Sequence, residues 1–214
     1  MVTICPTVTA YDKVSFKEQL NRVISFADRI HLDLMDGVFT STKSPTLKEL
    51  NLPVYSNKLI DLHLMYQDPS QDLASILKIN PNLVILHVES DFEESFITSL
   101  HKHNIKVGLA ILAKTPINDI ILDRLNYFDQ ILIFAGKLGY HGGVADLSNL
   151  TKVQSIKIAS PEIEIAWDGG VDSDNLKQLI DSGINVLNVG GYIQNSVNPQ
   201  NAYDTLKNEI KNYA

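Results

Sequence analysis

A chain of 214 residues with 44% hydrophobic and 20% charged residues can bury a sizeable core and shows no bias toward disorder. Its length suits a single α/β barrel of about 200–250 residues better than two ordinary domains. The formal net charge of −7 argues against a sequence-independent grip on nucleic acid or an anionic membrane, which needs a basic face, so neither is an expected partner and an anionic ligand has to be held by local donors.

The lone cysteine, Cys5, cannot form an intramolecular disulfide. The opening MVTICPTVTA has neither the charged front nor the long apolar middle of a secretory signal. No apolar run approaches the roughly 20 residues that span a bilayer, and the expected location is the cytoplasm.

In chain order, β-rich runs alternate with segments of helical periodicity. Strands are predicted over 2–7, 29–35, 58–65, 83–88, 106–111, 130–135, 162–167 and 186–190. Helices are predicted over 15–27, 46–50 (short), 69–78, 92–103, 117–125, 146–158, 173–182 and 199–213. Asp68-Pro69, Thr115-Pro116 and Asn198-Pro199 supply start signals for three of them. No linker or composition shift divides the chain, so residues 1–214 are expected to form one (β/α)8 barrel. A doubly wound sheet is the alternative, but no Gly-x-Gly-x-x-Gly follows the first strand.

The active site of such a barrel lies at the carboxyl ends of its strands. Strand parity puts His31, Asp33 and Met35 on one face and Leu32 and Leu34 on the other. The third strand repeats the arrangement with Asp61, His63 and Met65 against Leu62 and Leu64. The apolar faces pack on helices, which turns the polar rows inward, and Asp168 ends the seventh strand. Buried charge needs partners. Two readings stay open on spacing alone: ion pairs that are merely structural, or a set of imidazoles and carboxylates suited to Zn, Fe, Mn or Co. Asp168-Gly169-Gly170 after strand seven and Gly190-Gly191 after strand eight lie where such barrels hold phosphate through backbone N–H groups.

These residues resemble the ribulose-phosphate 3-epimerase family of the ribulose-phosphate-binding barrels. HLDLMDG (31–37) is similar to that family's His-x-Asp-x-Met-Asp-Gly, and DLHLMYQDP (61–69) to its Asp-x-His-Leu-Met signature. WDGGV (167–171) resembles its Asp-Gly-Gly-Val, and NVGGYI (188–193) its phosphate-binding turn. The resemblance implies one divalent metal ion held by His31, Asp33, His63 and Asp168, with Asp33 and Asp168 as the acid/base pair. It implies Met35 and Met65 as shields of the reacting centre, and Thr7, Gly142, Gly143, Gly170, Gly190 and Gly191 as further contacts to a sugar phosphate.

The implied reaction is 3-epimerisation of a ketose phosphate, D-ribulose 5-phosphate to D-xylulose 5-phosphate, in a chain that can form homo-oligomers. Inverting a carbon beside a ketone needs one group to remove a proton and another to deliver one to the opposite face. A ketohexose phosphate epimerase and a non-catalytic phosphosugar-binding barrel are the alternatives. A decarboxylase of the orotidine-phosphate type is disfavoured, because DLMD has no lysine between its acids.

Two loops depart from the family pattern: VFTSTKSP (38–45), and KLGYHGGVAD (137–146), in which His141 looks inserted and Gly142 and Gly143 keep a backbone role. Thr7 stands for a serine after Pro6, and Gly191 for a serine in the last turn. His87 and Glu89 share a face and could support the site from behind, but such a pair is more often a satisfied polar contact and is left out of it. Cys5 is read as a buried thiol, Trp167 as packing on helices, and HKHN (101–104) as a helix end.

Overall fold

In a computed structural model, which describes residues 2–50, 52, 58–140 and 142–213, the strands close into a parallel barrel whose spatial order is their chain order. The strands are β1 (Thr3–Thr9), β2 (Arg29–Met35), β3 (Leu59–Met65), β4 (Leu83–His87), β5 (Lys106–Leu112), β6 (Gln130–Phe134), β7 (Glu164–Asp168) and β8 (Val186–Val189). The helices are α1 (Lys13–Val23), α2 (Leu73–Ile79), α3 (Glu94–Lys102), α4 (Asp119–Asp123), α5 (Leu150–Ala159), α6 (Leu176–Asp181), α7 (Gly191–Gln194) and α8 (Pro199–Tyr213).

Local chemistry sets several helix starts. Asp12 caps α1 by accepting from the Val14 and Ser15 N–H groups at 2.8 and 3.0 Å. Asn118 accepts from Ile121 N–H at 3.0 Å ahead of α4, and Pro199 supplies the first residue of α8, where a missing N–H costs nothing.

The barrel has two hydrophobic layers of different size. Outward-facing Leu32, Leu34, Leu62, Leu64, Ile131, Ile133 and Trp167 join the large cluster shared with the helices, whereas Cys5, Ile85, Ala110, Leu132, Ala166 and Val186 fill the interior. Trp167 is fully buried there, as expected, and Cys5 is a buried thiol that burial pushes up in pKa. Below this interior plug lies a polar floor. Arg29 Nε sits 2.5 Å from Asp61 Oδ2, its other nitrogens lie 3.2 Å from the Glu164 carboxylate, and Asn82 donates to Asp61 Oδ1 at 2.8 Å. Asp61 therefore pairs with Arg29 rather than with His63.

The structure differs from the sequence expectation at several places. The predicted helix over 46–50 is a single turn, in which Glu49 Oε2 accepts from Thr46 N–H and Oγ1 at 3.0 Å each, so no helix follows β2 among the described residues. β1 runs to Thr9 and β7 ends on Asp168, each beyond its predicted limit, because polar side chains bound for the interior broke the apolar runs. The short α7 directly after Gly190 was not expected. His141 lies outside the described residues.

Candidate active site

β2 and β3 pair in perfect step, His31 with Asp61, Asp33 with His63 and Met35 with Met65. Alternation then sends the polar member of every second position into the barrel. His31, Asp33, His63 and, from β7, Asp168 converge at the carboxyl end, and one nitrogen or oxygen from each lies within 4.8 Å of the others. Asp33 Oδ1 is 3.1 Å from His31 Nε2 and 2.8 Å from His63 Nδ1, and His31 Nε2 is also 3.3 Å from Asp168 Oδ2. All four side chains are buried.

Their charges are strongly tied together. Burial alone lowers the His31 imidazole, but the Asp168 and Asp33 carboxylates outweigh it and raise its pKa to about 10. Burial alone raises the Asp33 carboxyl, yet His31 and His63 overcome it and hold the group well below the usual carboxylate range.

The donor set fits a divalent ion. It consists of two imidazole nitrogens and two carboxylate oxygens, a borderline N/O set suited to Zn, Fe, Mn or Co. Bonds of about 2.0–2.2 Å to a tetrahedral ion set the ligand atoms about 3.4 Å apart, so the set, whose atoms all lie within 4.8 Å of one another, closes on one ion by side-chain movements of up to about an ångström. Asp168 Oδ2, buried within the set, has only the 3.3 Å approach to His31 Nε2 and no further hydrogen-bond partner among the described residues.

Beside the cluster opens a cavity of about 290 Å³ whose wall includes both Asp33 and Asp168. Thr7, Gly142, Gly143, Gly170, Gly190 and Gly191, all singled out from the sequence, line it too. Among the described residues no lysine or arginine lines it, so an anion there would be held by N–H groups and dipoles. Gly170, at φ +65°, lets the turn after β7 touch the loop after β6, for a Cβ there would collide with the Ala145 amide nitrogen. Met35 and Met65 are buried at the ends of β2 and β3 and lie outside this cavity wall.

The two unusual loops meet each other. Thr42 Oγ1 donates to Gly139 O at 2.8 Å, and Tyr11 Oη reaches the same carbonyl at 3.3 Å.

Several site residues escaped the sequence reading. Thr9 Oγ1 donates to Asp33 Oδ2 at 2.6 Å. Parity with Thr7 could have found it, had the strand been carried past Thr7. His87 Nε2 lies 2.8 Å from His63 Nε2, and His87 Nδ1 lies 3.4 Å from Glu89 Oε2, which makes this pair a support for the cluster. Asn188 and Phe134 also line the cavity.

Fold and rim together define a (β/α)8-barrel enzyme with an acid–imidazole centre at the carboxyl ends of its strands. Residues 3–194 match the model of the ribulose-phosphate 3 epimerase family, and the chain belongs to that family, an isomerase of the carbohydrate-epimerase kind. Among curated relatives, a ribulose-phosphate 3-epimerase of Schizosaccharomyces pombe is 24% identical, covering 97% of this chain and 93% of its own. One of Mycobacterium leprae is 26% identical, covering 95% and 93%. The crystal structure of KGPDC from Streptococcus mutans shares the fold, with a TM-score of 0.75 at 13% identity over 100% of this chain and 99% of that one.

Proposed function

We propose that this chain interconverts D-ribulose 5-phosphate and D-xylulose 5-phosphate, with Asp33 and Asp168 as the two proton-transferring groups and His31, Asp33, His63 and Asp168 as ligands of one divalent ion. The observation that carries the reading is the buried four-residue cluster opening, through both aspartates, into a glycine-lined cavity that also contains Thr7.

A divalent ion bound by these four residues would stabilise the negative charge that develops on the ketone oxygen as the neighbouring carbon loses its proton. Everything else falls to the chain. Asp33 and Asp168 come from strands separated by β8 and β1, which allows them to address opposite faces of a substrate chain lying between them. One carboxylate takes the proton from C3, and the other, starting protonated, delivers its proton to the far face of the ene-diolate. The two aspartates then hold exchanged protonation states, which suit the reverse reaction or are reset through solvent. The glycine turns after β6, β7 and β8 offer backbone N–H groups to the phosphate without side-chain obstruction.

The test is incubation of the purified protein with D-ribulose 5-phosphate in deuterated water, with and without a chelator. The expected result is formation of D-xylulose 5-phosphate carrying deuterium at C3, and loss of that activity in chelator. An absence of exchange with every divalent metal supplied rules the substrate out, and a ketohexose phosphate run in parallel reports the alternative.

A further inference from the structure

The polar groups of the cavity are not equally satisfied. On the β2–β4 side, Asp33, His31, His63 and His87 bond to one another and to Thr9, and each histidine makes at least one such bond, although His31 Nδ1 and His87 Nδ1 have none of their own among the described residues. On the opposite arc, formed by β7, β8 and β1, Thr7 Oγ1 and both amide atoms of Asn188 have no hydrogen-bond partner among the described residues, and Asp168 Oδ2 has only the 3.3 Å approach to His31 Nε2. Asn188 is only 3% exposed and Thr7 only 2%. Both line the cavity.

Asn188 holds a defined place. In register it faces Asp168 on β7 and Cys5 on β1, and it stands two residues before Gly190, the first of the two glycines that turn the chain into α7. Its neighbour Cys5 offers only a weak thiol. A buried amide left unpaired is unfavourable, and native proteins rarely tolerate both its ends being so. An amide supplies a donor and an acceptor, and a hydroxyl matches both, since it accepts and donates through one oxygen.

Resting on the reading of the cavity as a ketose phosphate site, we propose that Asn188, with Thr7 beside it on the next strand, contacts substrate directly. It binds the hydroxyl on the carbon between the inverted centre and the phosphate-bearing carbon. Its position between Asp168 and the glycine turn is that of the intervening carbon in a chain reacting at C3 and phosphorylated at C5. Asn188 is thereby a specificity-determining residue: it selects polyhydroxylated chains over phosphorylated ketones that lack this group.

The experiment compares the full chain with its Asn188→Val and Asn188→Ala variants. Binding of D-ribulose 5-phosphate, its 4-deoxy analogue and inorganic phosphate is measured by calorimetry, together with turnover and thermal unfolding. Asn188→Val should weaken D-ribulose 5-phosphate binding by about tenfold or more while leaving the 4-deoxy analogue and inorganic phosphate within twofold. The ligand-free Asn188→Val protein should melt higher by about 2–4 °C, because an unpaired amide has been replaced by an apolar group of similar size.

A structural asparagine would give the reverse, a lower melting point and equal losses for all three ligands, and that result overturns the proposal. If the parent chain epimerises the substrate and Asn188→Val binds it unchanged, the role of Asn188 falls while the reaction stands. If the parent chain is catalytically silent yet Asn188→Val weakens binding of the pentulose and spares its deoxy analogue, the role stands and the reaction falls. Asn188→Ala serves the same comparison should valine disturb the barrel.

Discussion

The imidazoles of His63 and His87 face one another through their Nε2 atoms at 2.8 Å, so one of the two nitrogens must carry a proton and the other must not. His63 presents its other nitrogen, Nδ1, to the cluster at 2.8 Å from Asp33 Oδ1. A His63 that gives Nδ1 to a metal therefore keeps its proton on Nε2 and donates it to His87. Burial outweighs Glu89 and lowers the His87 pKa to about 4, so His87 is neutral and able to accept. Phe39 and Phe134 cover it, with ring centroids at 4.8 and 6.1 Å. Outer partners of this kind typically account for about 10–100-fold in metal affinity. Replacing His87 by alanine is expected to weaken Zn binding within that range, measured by competition with a chromogenic chelator, and His87→Gln should recover part of it. Unchanged affinity in the alanine variant refutes the arrangement.

Thr9 acts on the other side of the same cluster. Its hydroxyl donates to Asp33 Oδ2 at 2.6 Å, the oxygen turned away from the histidines. A hydrogen bond to a charged acceptor contributes about 1.5–3 kcal/mol, enough to lower a carboxyl pKa by about one unit or more. Thr9→Val keeps the shape and removes the donor. The acid limb of the kcat/KM profile should then move up by about one pH unit, with the metal content unchanged. A profile that does not move separates Thr9 from the acid/base function of Asp33.

His31 makes metal uptake a proton exchange. Its pKa in the metal-free fold is raised from 6.5 to about 10, so at neutral pH the imidazole is protonated and a metal must displace that proton. Calorimetric titration in buffers of different ionisation enthalpy should show release of about one proton per ion at pH 7–8, and apparent affinity should climb with pH up to the His31 pKa. The sign for stability is opposite. A raised folded-state pKa contributes stability fully present below 6.5 and lost as pH rises through about 10. The metal-free protein should accordingly lose melting temperature across that window while the metal-loaded protein does not. Metal uptake without proton release contradicts this account.

The proton-transferring role of Asp168 is open to a direct comparison. Asp168→Asn keeps the size and hydrogen-bonding surface but cannot shuttle a proton, and general acid–base groups contribute typically about 10²–10⁴-fold. Turnover should fall by at least that range, while binding of inorganic phosphate in the glycine-lined cavity stays within about twofold of the parent, because no step of that binding uses the carboxylate. Retained turnover removes Asp168 from the chemistry.

What the sequence revealed depended on period. The alternation through His31, Asp33 and Met35, repeated at Asp61, His63 and Met65, was enough to orient both strands and to locate the cluster, since a pleated strand leaves no other choice of face. Thr9 was lost because Pro6 and a run of threonines carry no apolar pattern that marks where β1 ends. His87 was legible as a residue but not as a partner, because contact across strands depends on barrel stagger. The absent helix over 46–50 had too few residues to show a period, and Pro45 with the Thr46–Glu49 bonds turns the chain once instead. Asn188 was visible within its strand, but its lack of partners is a property of the closed barrel alone.

The floor of the barrel makes a prediction independent of the rim. Arg29 and Asp61 are 8% and 1% exposed and lie 2.5 Å apart, with Glu164 as a second, more exposed partner of the guanidinium. Burial dominates Asp61 strongly enough that its pKa is raised even with Arg29 against it, and the attraction of Asp61 in turn raises that of Arg29 despite its own burial. Removing one member of a buried pair leaves an uncompensated charge, at a cost of about 3–5 kcal/mol. Arg29→Leu should therefore lower the melting temperature steeply at pH 8. In that variant the Asp61 pKa rises further above its unfolded value of 3.8, and a group with a raised folded-state pKa stabilises below the unfolded value and loses that contribution as pH rises. The deficit should shrink toward pH 4 as Asp61 takes up a proton. Adding Asp61→Leu should recover much of the loss at pH 8, since two apolar side chains replace the pair without leaving a charge behind. Thermal melts of the single and double variants at both pH values decide the matter, and a deficit that is the same at pH 4 and pH 8 rules out buried charge as its origin.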